Sequence, residues 1–372
     1  MKKEEFVDIL MKFLIVLALV VGLISLTMNL TSMFLERKNQ PELVDANQNE
    51  PYVAPQEEAS VINVLVSGMA DYGTLAPEEK DYSIRLIDVK NLASNYDIRA
   101  FSQKTLIGNE VPTAFGDTVV GAGFNAVALA NADSLKLGKE GVDTSLDYWL
   151  NSGIHVAGTN QSTDQQNLIR PFEVNDISVV FLSFTDVLND TLPEHERYLV
   201  NVYDEEKTPL IVADAAWQCD VVIVSMYWQG ENKGMPTERQ RQIAKSLADA
   251  GASVIMGNAE NAIQPVEWID DTLVFYSLGN LVSDSKEEEE RLGAVGAVTI
   301  TKTTLYDYYK KIELTNPRVE FLYSVINPDG STISKPFNLF NEGDLENADA
   351  IYEEYKGVVH KLDDSIRIGG LQ

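Results

Sequence analysis

Residues 220–256 read DVVIVSMYWQGENKGMPTERQRQIAKSLADAGASVIM, and this stretch decides the fold. Asp220–Met226 is an apolar run with hardly a polar break, as expected of a strand covered on both faces. Thr237 followed three residues later by Gln240 forms a capping box that opens a helix. Ile243, Ala244, Leu247 and Ala248 give that helix one apolar face, and Gly251 ends it. Ser253–Met256 is a second short apolar run. Strand, helix, strand in this order is the unit of an α/β sheet.

The same alternation extends outward. Val61–Ser67, Ala126–Ala130, Ile177–Phe184 and Leu273–Ser277 read as further strands. Residues 139–151 read as a helix, with Val142, Leu146 and Trp149 on one side. After residue 294 the pattern changes. Ala297–Thr301 and Ile312–Ile326 read as strands at an edge or in a hairpin. Residues 342–360 read as an acidic helix, and the last dozen residues are expected to fray.

The amino-terminal end is of another kind. Residues 13–35, FLIVLALVVGLISLTMNLTSMFL, contain no charged side chain. A helix of that length spans roughly 34 Å, enough to cross a hydrocarbon core of about 30 Å. No Ala-x-Ala cleavage pattern follows, so the segment reads as an uncleaved signal anchor. Lys2, Lys3 and Lys12 precede it and Arg37 and Lys38 follow. By the positive-inside rule the bulk of the chain is expected outside the cell membrane, carried on a single span in the lipid bilayer. Residues 36–60 are polar and proline-containing, as in a disordered linker. The expected organisation is therefore an anchor over 1–35, a linker over 36–60, an α/β domain over 61–340 and an acidic helix and tail over 341–372.

Charge narrows the choice of partners. The chain carries 57 Asp and Glu against 29 Lys and Arg, a formal charge of −28. Lysines and acids balance within residues 1–35, so the excess lies beyond them. Such a surface repels phosphate backbones, and no nucleic-acid partner is expected. Cys219 is the single cysteine, which excludes an internal disulfide. Its apolar setting reads as an inert buried thiol.

Open α/β sheets place their sites at the carboxyl ends of strands. Here those ends are Gly68–Tyr72, Asn131–Ser134, Tyr227–Glu231, Gly257–Asn261 and Gly279–Asp284. Asp71, Asn131, Trp228, Glu231, Asn258 and Glu260 are the candidate pocket residues on or beside them.

These loops also carry a resemblance. Gly123–Thr159 (GFNAVALANADSLKLGKEGVDTSLDYWLNSGIHVAGT), Asp220–Asn232 (DVVIVSMYWQGEN) and Ala252–Asp284 (ASVIMGNAENAIQPVEWIDDTLVFYSLGNLVSD) resemble segments of the CapA family of capsule-synthesis proteins. Tyr96–Glu110 (YDIRAFSQKTLIGNE) resembles an earlier segment of the same family. The resemblance implies a metallophosphatase-like α/β/β/α sandwich, here preceded by one transmembrane helix. It also implies a role in making, exporting or tethering an envelope polymer such as poly-γ-glutamate, with that polymer or its synthesis proteins as partners. The family's cofactor is a divalent metal.

At the positions where the family has its site residues, this chain departs from the pattern. Met69 follows Gly68 where the family has an aspartate. Lys104, following Gln103, stands where the family's early segment has a glutamate. Ala132 and Asp133 replace an asparagine-histidine pair, and Tyr227 replaces a histidine. Ala259, Glu260 and Asn261 replace a histidine-proline-histidine triplet. The three histidines, His155, His195 and His360, fall at none of these positions. Metal-assisted hydrolysis needs clustered carboxylate and imidazole ligands. No metal, cofactor or catalytic residue is therefore expected, and Lys104 either fills the space and charge of a missing ion or is a solvated lysine on its loop. The expected role is binding or scaffolding. The alternatives are a structural spacer, or a hydrolase with an all-oxygen site rebuilt from Asp71, Asp133, Glu231, Glu260 and Asp284.

Overall fold

The computed structural model describes residues 58–71, 82–108, 111–230, 234–258, 262–305, 309–340 and 344–371. The expected anchor, nearly all of the linker, and Glu231, Ala259, Glu260 and Asn261 lie outside these ranges. Contacts divide the chain after Pro55, and all described residues belong to the second unit. Among the described residues no helix is long and apolar enough to cross a membrane.

Along the chain run β1 (Glu58–Ala70), α1 (Ile87–Ala93), β2 (Ile98–Gln103), α2 (Thr113–Gly121), β3 (Ala126–Ala128), α3 (Gly138–Asn151), β4 (His155–Ala157) and α4 (Thr163–Gln166). Next come β5 (Phe172–Val174), β6 (Ile177–Thr185), α5 (Lys207–Gln218), β7 (Val221–Tyr227), α6 (Glu238–Asp249) and β8 (Val254–Asn258). The final third holds β9 (Val266–Ile269), β10 (Thr272–Phe275), β11 (Asn280–Val282), β12 (Leu292–Leu305), β13 (Tyr309–Ile326), β14 (Thr332–Pro336), α7 (Ala348–Val359) and β15 (Arg367–Ile368).

Two sheets result. The first has the order β14-β13-β12-β1-β2-β3-β4, with β11 beside β1 and β15 beside β13. The second has the order β5-β6-β7-β8-β10-β9. In the first sheet β1 to β4 are parallel, and the long β12–β13 hairpin adds antiparallel to β1. In the second, β6, β7, β8 and β10 run parallel.

Side-chain alternation sorts the core into layers. Leu65 of β1, Phe101 of β2 and Val127 of β3 face outward onto α1, α2 and α3, where Val89, Val119, Val142, Leu146 and Trp149 are buried with them. Their neighbours Val64, Val66, Ile98, Ala100 and Ala126 face the second sheet and pack with Val179, Ile223, Val254 and Phe275. On that sheet's far side Val180, Val222, Val224 and Ile255 pack with Val212 of α5 and Ile243, Ala244 and Leu247 of α6. The layers are therefore helix, sheet, sheet, helix.

An ionic clip ties the sheets at one end. Asp220, just before β7, accepts from Lys302 of β12 at 2.7 Å, from Lys310 of β13 at 3.2 Å and from the Ser178 hydroxyl of β6 at 3.0 Å. Burial opposes its charge, yet hydrogen bonds from Lys302, Ser178 and Lys310 hold its pKa down at about 2.

Several expectations are corrected here. β1 begins at Glu58, inside the supposed linker, because Glu58–Ser60 pair with Lys302–Thr304 of the hairpin. β2 escaped the strand reading because Arg99 and Gln103 interrupt its apolar residues. The loop expected over Gly279–Asp284 contains β11, which pairs with the end of β1. The acidic helix starts at Ala348, later than expected. The tail does not fray over Arg367–Leu371. β15 pairs with β13, Gly369 N–H donates to the Val319 carbonyl at 2.8 Å, and Gly370 and Leu371 donate to Glu320. Glu320 is buried, with one carboxylate oxygen lacking a partner. Burial pushes its pKa up to about 7, although the two backbone N–H groups pull it down.

Two predictions follow from these buried acids. Asp220→Asn should cost about 2 kcal/mol at pH 7, because Lys302 keeps the Asp176 carbonyl as an acceptor but loses its opposite charge. A depressed carboxylate pKa gives stability that is present above the unfolded value of 3.8 and lost toward 2. Urea titrations should therefore show the gap between the two proteins closing over that range. Glu320 has the opposite sign. Its folded pKa lies above the unfolded value of 4.5, so its ionisation removes stability as pH rises from about 4.5 to about 7. Glu320→Gln should remove that decline and raise stability at pH 8 on the order of 2 kcal/mol. Burial raises the pKa values of the neighbouring Tyr96 and Tyr352, so both stay neutral across this window. A Gln variant with the wild-type pH profile would refute the assignment.

Candidate functional site

The carboxyl ends of β1, β2 and β3 meet as one hydrogen-bonded cluster. Gly68 turns against Gly279, and an added Cβ would run into the Gly279 carbonyl. Met69 N–H donates to that same carbonyl at 3.0 Å, and the Met69 side chain is buried. Lys104, just past β2, places its Nζ 2.9 Å from Asp71 Oδ2. The buried Gln103 accepts from Trp149 Nε1 of α3 at 2.6 Å. Asn131 Nδ2 donates to the Gln103 carbonyl at 2.7 Å, and Asn131 Oδ1 accepts from Asp133 N–H at 2.8 Å. Asp133 Oδ1 in turn accepts from Asn189 Nδ2 at 2.7 Å, beside the buried Ala132 whose carbonyl accepts from Asn189 N–H.

A second cluster stands at the carboxyl ends of β6, β7 and β8. Tyr227 lies beside Asn258 in register. Trp228 is fully buried and donates from Nε1 to the Tyr276 carbonyl at 2.9 Å. Gly257 lets the Trp228 ring and the Tyr276 carbonyl come close. Asp186 follows β6; its Oδ1 accepts from Gln229 N–H at 3.1 Å, and Arg239 Nε stands 3.8 Å from Oδ2. Burial pushes the Asp186 carboxyl above its ordinary range.

Ser102 of β2 joins the clusters. Its Oγ accepts from Asn258 Nδ2 at 2.8 Å and lies 3.2 Å from Ser225 Oγ of β7. All three side chains are buried at the interface of the sheets.

The structure thus brings Met69, Asp71, Gln103, Lys104, Asn131, Ala132 and Asp133 together, and Tyr227, Trp228 and Asn258 across the seam from them. Asp284 lies beyond β11. The sequence reading missed Ser102, Ser225, Asp186 and Asn189. Ser102 directly precedes Gln103 and Ser225 stands two residues before Tyr227, so both were within the quoted segments. The histidines are elsewhere. His155 stacks on Phe172 at 3.5 Å, His195 is exposed in a short 3-10 helix, and His360 caps α7 with Nε2 2.7 Å from the Ile366 carbonyl.

These residues do not suit a divalent metal. Among the described residues no group of three or more His, Cys, Asp or Glu is arranged to hold one. Met69 and Ala132 offer no oxygen or imidazole donor. Lys104 brings a cation against Asp71, and Asp133 is held by Asn189.

A family model described as "Bacterial capsule synthesis protein PGA_cap" matches residues 75–285, more than half of the chain. The chain belongs to this family. The PGA biosynthesis protein CapA of Bacillus subtilis (strain 168) is 30% identical over 163 residues, 43% of this chain and 43% of that protein. The capsule biosynthesis protein CapA of Bacillus anthracis is 27% identical over 174 residues, 44% of this chain and 41% of that protein. The matched region thus spans less than half the length of these CapA relatives. Among solved structures, TT1561 of Thermus thermophilus superposes with a TM-score of 0.39 at 14% identity, over 63% of this chain and 94% of that one. A likeness that weak settles neither fold nor function. Membership of the capsule-synthesis family therefore rests on sequence, and the two-sheet fold on the layers described above.

The Lys104–Asp71 pair gives a direct check on the site. Lys104→Glu would set two carboxylates face to face where the pair now stands, and should cost about 1–3 kcal/mol measured by thermal melting in a chelator. Adding Mn²⁺ or Zn²⁺ should not reverse the loss. A variant more stable than the parent without metal would show that Lys104 has no such role.

Proposed function

We propose that this chain serves the synthesis, export or tethering of a capsule polymer of the poly-γ-glutamate type, by binding rather than by metal-dependent hydrolysis at the family loops. Residues 13–35 hold it on the membrane by a single span, with the α/β domain on the outer side. The supporting observation is the ion pair of Lys104 with Asp71 at 2.9 Å, on the loops where the family is expected to carry ligands. An ammonium there supplies positive charge without an open coordination position, so no water is activated. Met69, Ala132 and Tyr227 are consistent with the same reading. The metallophosphatase-like scaffold is retained through Trp228, Gly257, Gln264 and Tyr276, whose contacts are structural: Gln264 exchanges a hydrogen bond with Gln240 at 2.9 Å, and Tyr276 accepts from Trp228.

The test is genetic and chemical. Deleting the gene in the producing cell should lower surface-bound polymer, and an Asp133→Ala, Tyr227→Phe double variant should restore it to at least half of the parental amount. The purified full-length protein should contain less than one tenth of an equivalent of transition metal. Chelator-sensitive hydrolysis of phosphoesters or of the polymer by that protein would refute the non-catalytic reading.

A further inference from the structure

A cavity of about 680 Å³ lies away from the family loops, between the open edge of the first sheet and the β5–β6 edge of the second. That volume is in the range of ligand sites. Its lining differs in charge from the rest of the chain. Arg170, Arg197 and Lys207 border it, with Asp204 as the only acid. Asp204 is already engaged, accepting from the N–H groups of Glu206 and Lys207 at 3.0 and 2.9 Å. Arg197 is paired with Glu194, whereas Arg170 and Lys207 have no ion-pair partner among the described residues. In a protein of net charge −28, a basic rim is a departure that needs a reason.

Two more features define the occupant. Leu150, Leu168, Val202 and Ile211 are large apolar side chains left exposed, and all four line this cavity. The whole of β4 also borders it, and β4 has no strand on its outer side among the described residues. His155 N–H donates to Asn125 and the Ala157 carbonyl accepts from Leu129, so those residues turn their amides inward toward β3. In a parallel ladder the residue between them, Val156, turns its N–H and carbonyl outward. The site therefore offers an amide pair, an apolar floor and two cations outside any ion pair, Arg170 donating to the Gln165 carbonyl at 3.5 Å and Lys207 near Asp204.

We infer that this cavity binds an extended polyamide chain bearing carboxylates, laid along the edge of β4 with its carboxylates toward Arg170 and Lys207. Main-chain pairing supplies register, methylene groups cover the leucines and the cations select negative charge. The polymer of the proposed function has this chemistry, and so does an acidic α-linked peptide. The inference rests on that function only for the choice between them.

The experiment is titration of the full-length protein in detergent with γ-linked and, separately, α-linked oligoglutamate, followed calorimetrically at two salt concentrations. Binding of the γ-linked chain, weakened at least tenfold by Arg170→Glu with Lys207→Glu but less than twofold by the double control Lys90→Glu with Lys245→Glu, is the expected result. Val156→Pro, which removes the outward N–H, should weaken it at least threefold. Preference for the α-linked chain with the same variant pattern would keep the site and make the ligand an acidic peptide. Equal weakening by the control pair, or no binding of either chain, would overturn the cavity assignment. Loss of polymer in the deletion strain alongside intact polymer in the Arg170/Lys207 variant would overturn it too, and would leave the proposed function standing.

Discussion

The arrangement of this molecule depends on how two sheets are pinned face to face. Between them the interface is almost wholly apolar, filled by Val64, Val66, Ile223, Val254 and Phe275. Apolar contact alone is non-directional and permits sliding. Direction comes from polar links, two of which mark the ends of the interface. At one end Asp220 clips β7 to β12 and β13 through Lys302 and Lys310. At the other, Ser102 meets Asn258 and Ser225 across the seam. A buried hydroxyl or amide left unpaired costs about 1–3 kcal/mol, so a shifted register is penalised at both ends. The loops at the carboxyl ends of β1, β2, β3, β7 and β8 inherit their relative positions from this second link.

That link also explains what stands at the family positions. Ser102 and Asn258 are committed to each other across the seam between the sheets. Lys104 then has its charge answered by Asp71, and Asp133 has its oxygen answered by Asn189. Most polar side chains there are answered by a neighbour from another strand or loop, although Asn258 Oδ1 is buried without a hydrogen-bond partner. Such a cluster is a fastening, and its groups have little freedom to turn toward an ion.

Much of this was legible in the sequence, and the limits have physical causes. β6, β7 and β8 are covered on both faces, so they appear as unbroken apolar runs and were found within a residue or so. The capping box at Thr237 was equally plain, and both of its hydrogen bonds are present. β2 and β4 were harder, since Arg99 interrupts the first and the second is only three residues long at an edge. The tail was misread because its order derives from Glu320, an acid whose burial no local pattern announces. The loops of the candidate site were found because strand ends are marked by where apolar runs stop. Ser102 and Ser225 were not, because a serine within a strand carries no signal until its partner on the other sheet is known.

The cavity beside β4 lay beyond reach for a related reason. Its residues come from the end of α3, β4, α4, β5, β6, α5 and the chain between β6 and α5, and of these the segments that carry the resemblance include only the end of α3 and β4. Yet the segment from Asp186 to Leu192 serves both places. Asp186 supports the Tyr227 turn, Asn189 holds Asp133, and Leu188 and Leu192 line the cavity. A rigid fastening at the family loops therefore braces one wall of the cavity. The partners of Asp133 and of the Tyr227 turn thus fix a loop whose other side is the wall of a basic, apolar-floored groove, and preorganised walls favour binding by lowering the ordering cost.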